Sequence, residues 1–136
     1  MLTHGVLCMI YHPQIAERIR VEVRSQTGGT RDLVLADKPK TPVLNATMCE
    51  MLRTANLLQL NIMRLSGVNL TNVMYDEKDF KDPMEFNPDR YLVENNNKLE
   101  SKVLAFGLGK RACLGESLAR SELYLIFGNL VQKYYF

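Results

Sequence analysis

No hydrophobic run in this chain is long enough to cross a bilayer. The longest N-terminal apolar stretch, Gly5 to Tyr11, falls far short of the roughly 20 residues that a membrane helix needs. No basic residue precedes it in the manner of a signal peptide. Net charge is also small: the 136 residues carry +2 and no basic block interleaved with aromatics, which speaks against nucleic acid as a partner. Cysteine is rare and odd in number (Cys8, Cys49 and Cys113), with no framework-like spacing. That excludes a disulfide scaffold and points to a reducing compartment. Internal repeats and low-complexity tracts are absent. The triplets Asn45-Ala46-Thr47 and Asn69-Leu70-Thr71 have the form of glycosylation acceptors, but nothing else indicates secretion, so they read as chance occurrences.

What is present is an ordinary globular composition, 46% hydrophobic and 24% charged, in a chain that fits one modest domain. Pro13 suits the first position of a helix. Ile15, Ala16, Ile19 and Val23 follow at helical spacing, with Glu17, Arg18, Arg20 and Glu22 facing elsewhere, until Gly28-Gly29 stops the run. Thr41 reads as an N-cap and Pro42 as the start of a second helix to about Leu57, with Leu44, Met48, Met51, Leu52 and Ala55 as its apolar stripe. Gln59 to Val73 holds a few β-like alternations, and Asp76 to Tyr91 reads as an irregular connector. A strong helix is expected from about Glu116 to Lys133, with Ala119, Leu123, Ile126, Phe127 and Leu130 on one face.

Chemistry concentrates in Phe106-Gly107-Leu108-Gly109-Lys110-Arg111-Ala112-Cys113-Leu114-Gly115-Glu116. Gly107 and Gly109 let the backbone turn tightly and approach a flat partner. Cys113 stands one turn before the final helix, where free N–H groups and the helix dipole favour a thiolate. Arg111 beside it can meet an acidic group. A thiol nucleophile is one alternative, but neither a resolving cysteine nor a histidine lies near in sequence. An ordinary glycine loop is the other. Glu50 and Arg53, at i and i+3, lie opposite the apolar stripe and by themselves read as a solvated ion pair. Cys8 and Cys49 read as packing residues, and His4 and His12, which have no second ligand at suitable spacing, as structural.

Phe106-x-x-Gly109-x-Arg111-x-Cys113-x-Gly115 resembles the haem-binding motif of the cytochrome P-450 family at all five fixed positions. Glu50-x-x-Arg53 and the later Phe86-x-Pro88-x-Arg90 resemble two further motifs of that family, in its order. The resemblance implies a mainly α fold with little β structure, the C-terminal haem-binding portion of the family's fold, filling residues 1–136 as an incomplete domain. It implies haem, iron protoporphyrin IX with an axial thiolate, as cofactor. Phe106, Gly107, Gly109, Arg111, Cys113 and Gly115 would form its binding set, with Cys113 the metal ligand and no catalytic residue in the chain. Arg111 would face a haem propionate, and Arg64 falls near a second propionate arginine of the family. Gly115 would leave room under the ring. Glu50, Arg53 and Arg90 would form a structural cluster beneath the haem loop.

The implied activity is that of a monooxygenase, which inserts one atom of dioxygen into an apolar small-molecule substrate with electrons from an NADPH-dependent reductase or similar donor. His12-Pro13 and the stretch Asp76 to Pro83 resemble animal microsomal members, which implies a parent on the cytosolic face of the endoplasmic reticulum, held there by an N-terminal anchor missing from this sequence. The sequence also departs from the family. The central helix with its acid–threonine pair is expected upstream, because Thr3 lies too close to His12-Pro13 to be that threonine. The family's C-terminal strands would follow Tyr134-Tyr135-Phe136. The passage between Arg53 and Phe86 is shorter than usual, and Gln59 stands where proline is common. A truncated, non-catalytic remnant that binds haem or other proteins is therefore the alternative.

Overall fold

His12 breaks the backbone between the first two helices. Helix α1 (Leu2–Tyr11) ends there at φ −128° and ψ 63°, and Pro13 opens α2 (Pro13–Thr27). Proline fits because the first turn of a helix has no use for its missing N–H. Gly28 ends α2 in the left-handed conformation, φ 65°. The computed structural model describes residues 1–55, 70–93 and 97–136, with only the backbone of Leu70, Thr71, Asn97 and Arg111. A 3-10 turn (Leu35–Lys40) leads into α3 (Pro42–Ala55), and the short α4 (Leu70–Met74) precedes the connector. A second 3-10 turn (Pro88–Tyr91), α5 (Asn97–Glu100), a third (Gly109–Arg111) and the long α6 (Glu116–Lys133) complete the order. No strand occurs among the described residues; the β-like alternations, Gln59 and Arg64 lie at least partly or wholly outside them.

Helices α2, α3 and α6 pack against one another, and α1 lies across all three. Their shared core includes Ile19 and Val23, Leu44 and Met51, and Tyr124, Phe127 and Val131, each without solvent exposure. Helix α1 comes close because Gly5 has no side chain. A Cβ there would overlap Met51 Cε and lie 2.9 Å from Phe127 Cε2.

Two expectations of the pattern fail, and a third, the Thr41 cap, holds in position but not through its hydroxyl. Arg20, assigned to the outward face of α2, is buried because Nε donates to Val131 O (3.1 Å) and Nη2 to Tyr134 O (3.2 Å). It satisfies carbonyls at the end of α6, while its guanidinium lies 3.9 Å from the Tyr135 ring centroid. Thr41 does hold the N-cap position, since its carbonyl accepts from Asn45 N, but its hydroxyl turns to Tyr124 Oη at 2.9 Å. The free N–H groups of α3 are met instead by Glu22 of α2, whose two oxygens accept from Val43 N and Leu44 N, each at 2.9 Å. On α6 the buried stripe is Leu123, Tyr124, Phe127, Gly128 and Val131, leaving Ile126 45% exposed. The face is therefore rotated from the apolar periodicity, because Tyr124 buries its ring with its hydroxyl on Thr41.

Candidate functional site

The segment from Phe106 to Gly115 forms a loop closed on itself. Cys113 N donates to Phe106 O at 2.8 Å, and Gly107 N and Ala112 N close two turns within it, each at 3.0 Å. Gly107 (φ 83°) and Gly109 (φ 76°) make the reversal possible. A Cβ at either would meet no neighbour nearer than 3.8 Å, so conformation and not crowding demands glycine. Gly115 is the N-cap of α6, and a Cβ on it would point to the Cys113 sulfur at 3.9 Å. The glycine thus keeps the space beside the thiol open.

The loop leaves Cys113 exposed, and Leu108, Leu114 and, on α6, Leu118 are exposed as well. Phe106 anchors it from behind. Its ring packs on the core, and the Arg120 guanidinium lies 5.2 Å from the ring centroid while Arg120 Nε holds Glu116 at 2.8 Å. Phe106, Met1, Leu2, Leu52, Ala119 and Ile126 contribute to an apolar groove of about 240 Å³ between α1, α3 and α6, which explains the exposure of Ile126. Of Arg111 only the backbone is described, as part of the 3-10 turn Gly109–Arg111. Arg64 lies outside the described residues.

On α3 sits a charge cluster whose two central members, Glu50 and Arg53, have no access to water. Glu50 and Arg53 are both fully buried, in contrast to the solvated pair that helical periodicity indicates. The reason is that α3 is covered on nearly every side: Leu44 and every residue from Ala46 to Arg53 are buried. Arg53 Nε and Nη2 donate to the two Glu50 oxygens at 2.8 Å each. Arg90 Nε reaches Glu50 Oε1 at 3.2 Å, Asn87 N the same atom at 3.0 Å, and the Tyr91 hydroxyl Oε2 at 3.0 Å. The carboxylate is thereby saturated with donors, the condition under which a buried charge is tolerated.

The two arginines then hold the connector by its backbone. Arg53 donates to the carbonyls of Met74 (3.0 Å) and Glu85 (3.3 Å), and its guanidinium faces the Tyr75 and Phe80 rings. Arg90 donates to the carbonyls of Lys81 (2.6 Å), Asp82 (3.4 Å), Glu85 (3.2 Å) and Asn87 (3.1 Å). Asp82 takes a left-handed conformation, φ 49°, in the middle of this wrapped segment. Tyr91 is the member that sequence reasoning missed. Burial, and then the adjacent Glu50 carboxylate, push its hydroxyl well above the usual phenol range, so it stays a donor. Its position directly after Arg90 is the signal that could have found it.

The other singled-out residues are satisfied within the fold. Cys8 and Cys49 are buried, and burial pushes each thiol up to about 11. His4 Nε2 pairs with Thr54 Oγ1 at 2.9 Å and lies 3.5 Å from Cys8 Sγ, while burial lowers its pKa. His12 stacks on Phe86 with centroids 5.2 Å apart.

A glycine loop thus holds one exposed cysteine ahead of a long helix, and α3 carries a buried Glu50–Arg53–Arg90 cluster. The cytochrome P450 family model matches residues 1–136, and the chain belongs to the cytochrome P450 family, a family of haem proteins with a mainly helical fold. It is 38% identical to the probable cytochrome P450 cyp-35D1 of Caenorhabditis elegans over 148 residues, covering 96% of this chain and 29% of the relative. It is 37% identical to cytochrome P450 1A1 of Limanda limanda over 156 residues, covering 99% of this chain and 30% of the relative. A solved zebrafish cytochrome P450 structure with progesterone superposes with a TM-score of 0.85 at 32% identity, covering 97% of this chain and 34% of that one. The chain thus spans about 30% of the length of these curated relatives. Both alignments are longer than the 136 residues of the chain, so the relatives carry internal residues with no counterpart here.

Proposed function

We propose that Cys113 is the axial ligand of a haem iron, that Phe106, Gly107, Gly109, Arg111 and Gly115 shape the loop around that haem, and that residues 1–136 are the haem-binding part of a monooxygenase domain. The observation that carries this reading is the exposed Cys113 in a loop turned by two left-handed glycines, a loop that also exposes the apolar Leu108 and Leu114. An apolar, flat cofactor is the partner such a surface suits. Haem held by a thiolate supplies the iron chemistry that favours O–O cleavage.

The chain's own residues position the sulfur. The Cys113 N–H is engaged by Phe106 O, which fixes the turn on which the thiol stands. Phe106 and Arg120 tie that turn to α6, and the Glu50 cluster fixes the connector behind it. Arg111, two residues before Cys113 in sequence, is the proposed partner of a haem carboxylate. The parent activity we propose is insertion of one oxygen atom into an apolar substrate, with electrons from an NADPH-dependent reductase, on the cytosolic face of the endoplasmic reticulum. The relatives' family and the progesterone of the zebrafish structure support the substrate class. Among the described residues no helix is long and apolar enough to cross a membrane.

A haem-binding chain without turnover is the second reading, favoured by the 30% share of the relatives' length that the chain spans. An absorption spectrum of the chain with haem, reduced under carbon monoxide, tests the ligand. A red-shifted, thiolate-type Soret band that disappears in Cys113→Ala is expected. An unchanged band in that variant overturns the ligand assignment. Reductase-dependent oxidation of an apolar substrate then separates the two readings.

A further inference from the structure

A cleft of about 510 Å³ opens away from the thiolate loop, between the 3-10 turn Leu35–Lys40, the first half of α3, α5 and α6. Its volume lies within the range of small-molecule sites. Lys38, Asn45, Met48, Cys49, Glu100, Ser101 and Arg120 line it, so charges of both signs stand beside apolar surface. Neither Lys38 nor Glu100 forms an ion pair with any described residue. Asn45 donates from Nδ2 to Lys38 O at 2.7 Å, but its Oδ1 is buried without a partner. A buried acceptor left unpaired is destabilising unless something supplies a donor.

The charges converge on the cleft floor. Burial raises the Cys49 thiol to about 11, Glu100 pushes it the same way, and Arg120 and Lys38 oppose both. Two cations, one carboxylate and an orphan acceptor therefore surround a single cavity. We propose that this cleft binds a small zwitterion, a molecule of di- or tripeptide size. Its carboxylate meets Lys38 and Arg120, and its ammonium group meets Glu100 and Asn45 Oδ1. A simple anion leaves Glu100 and Asn45 unmatched, and a simple cation leaves Lys38 unmatched. Because Arg120 also lies over the Phe106 ring, occupancy reaches the root of the thiolate loop through one side chain.

Cys49 gives the site its own reporter. In the full 136-residue chain, iodoacetamide labelling of the three cysteines is followed by mass spectrometry at pH 8.5 with triglycine, succinate or ethylamine. Triglycine at ten times its Kd is expected to slow Cys49 labelling about tenfold, leaving Cys8 and Cys113 unchanged. Lys38→Met, at a side chain with no described ion-pair partner, should abolish the protection while the circular dichroism spectrum stays the same. Glu100→Gln should weaken protection by triglycine. Equal protection by succinate overturns the zwitterion assignment. Lack of protection by triglycine overturns the site, and so does protection that survives in Lys38→Met.

Discussion

Arg53 closes a two-point ion pair onto Glu50, one turn earlier on the same helix, with Nε and Nη2 each 2.8 Å from a different carboxylate oxygen. Neither side chain reaches solvent. In that setting the pair's worth depends on completeness, because desolvation has already been incurred by both ions. Glu50→Gln keeps the shape and removes the charge, leaving Arg53 and Arg90 without their counter-ion. The expected loss is about 3–5 kcal/mol of unfolding free energy in urea titration. A loss below about 1 kcal/mol, the scale of an exposed pair, would contradict the buried geometry.

Much of this was legible in advance. The helices around Ile19, Met48 and Phe127 follow from apolar spacing and from Pro13 and Pro42 at their starts. The ordered motifs around Glu50, Arg90 and Cys113 were readable as residue types at fixed spacing. What periodicity could not supply is the use of a polar group by a distant partner. Arg20 and Glu22 look like solvent-facing charges within α2, yet one meets the carbonyls of α6 and the other the N–H groups of α3. The same holds for Tyr91, whose role exists only once the connector brings it beside Glu50, 41 residues away in sequence.

The Glu22 cap makes α2 and α3 energetically dependent. Glu22→Ala removes both acceptors at the start of α3 while touching no apolar contact. A destabilisation of about 1–2 kcal/mol is expected, typical of losing a good cap. Thermal unfolding followed by circular dichroism would measure it, and a midpoint equal to wild type would show that water replaces the carboxylate.

Asp37 introduces a pH dependence at the acid end. Arg31 holds its carboxylate at 2.7 and 2.8 Å, and Val34 N adds a third bond, lowering its pKa from 3.8 to about 2. Because the folded value is the lower one, the stabilisation is complete above pH 3.8 and disappears as pH falls through about 2. Arg31 is nearly half exposed, so solvent screening keeps the contribution small. Asp37→Asn should therefore differ from wild type at pH 5 and converge with it near pH 2. Parallel stability curves across that window would argue against the pair.

The three thiols should also separate by reactivity. Cys113 is exposed, whereas Cys8 and Cys49 are buried and raised from 9.0 to about 11. That shift alone lowers their thiolate fraction roughly a hundredfold at neutral pH. Alkylation timed by mass spectrometry should label Cys113 first by a wide margin. Early labelling of Cys49 would mean that the cleft floor is far more open than its burial implies.

Arg53 and Arg90 grip the connector through the carbonyls of Met74, Lys81, Asp82, Glu85 and Asn87, none of which depends on the side chain at that position. Natural variation can therefore rewrite the exposed Lys81 and Glu85 freely, whereas inserting or deleting a residue would move every acceptor out of reach. Among descendants of this gene the connector should drift in letters and stay fixed in length.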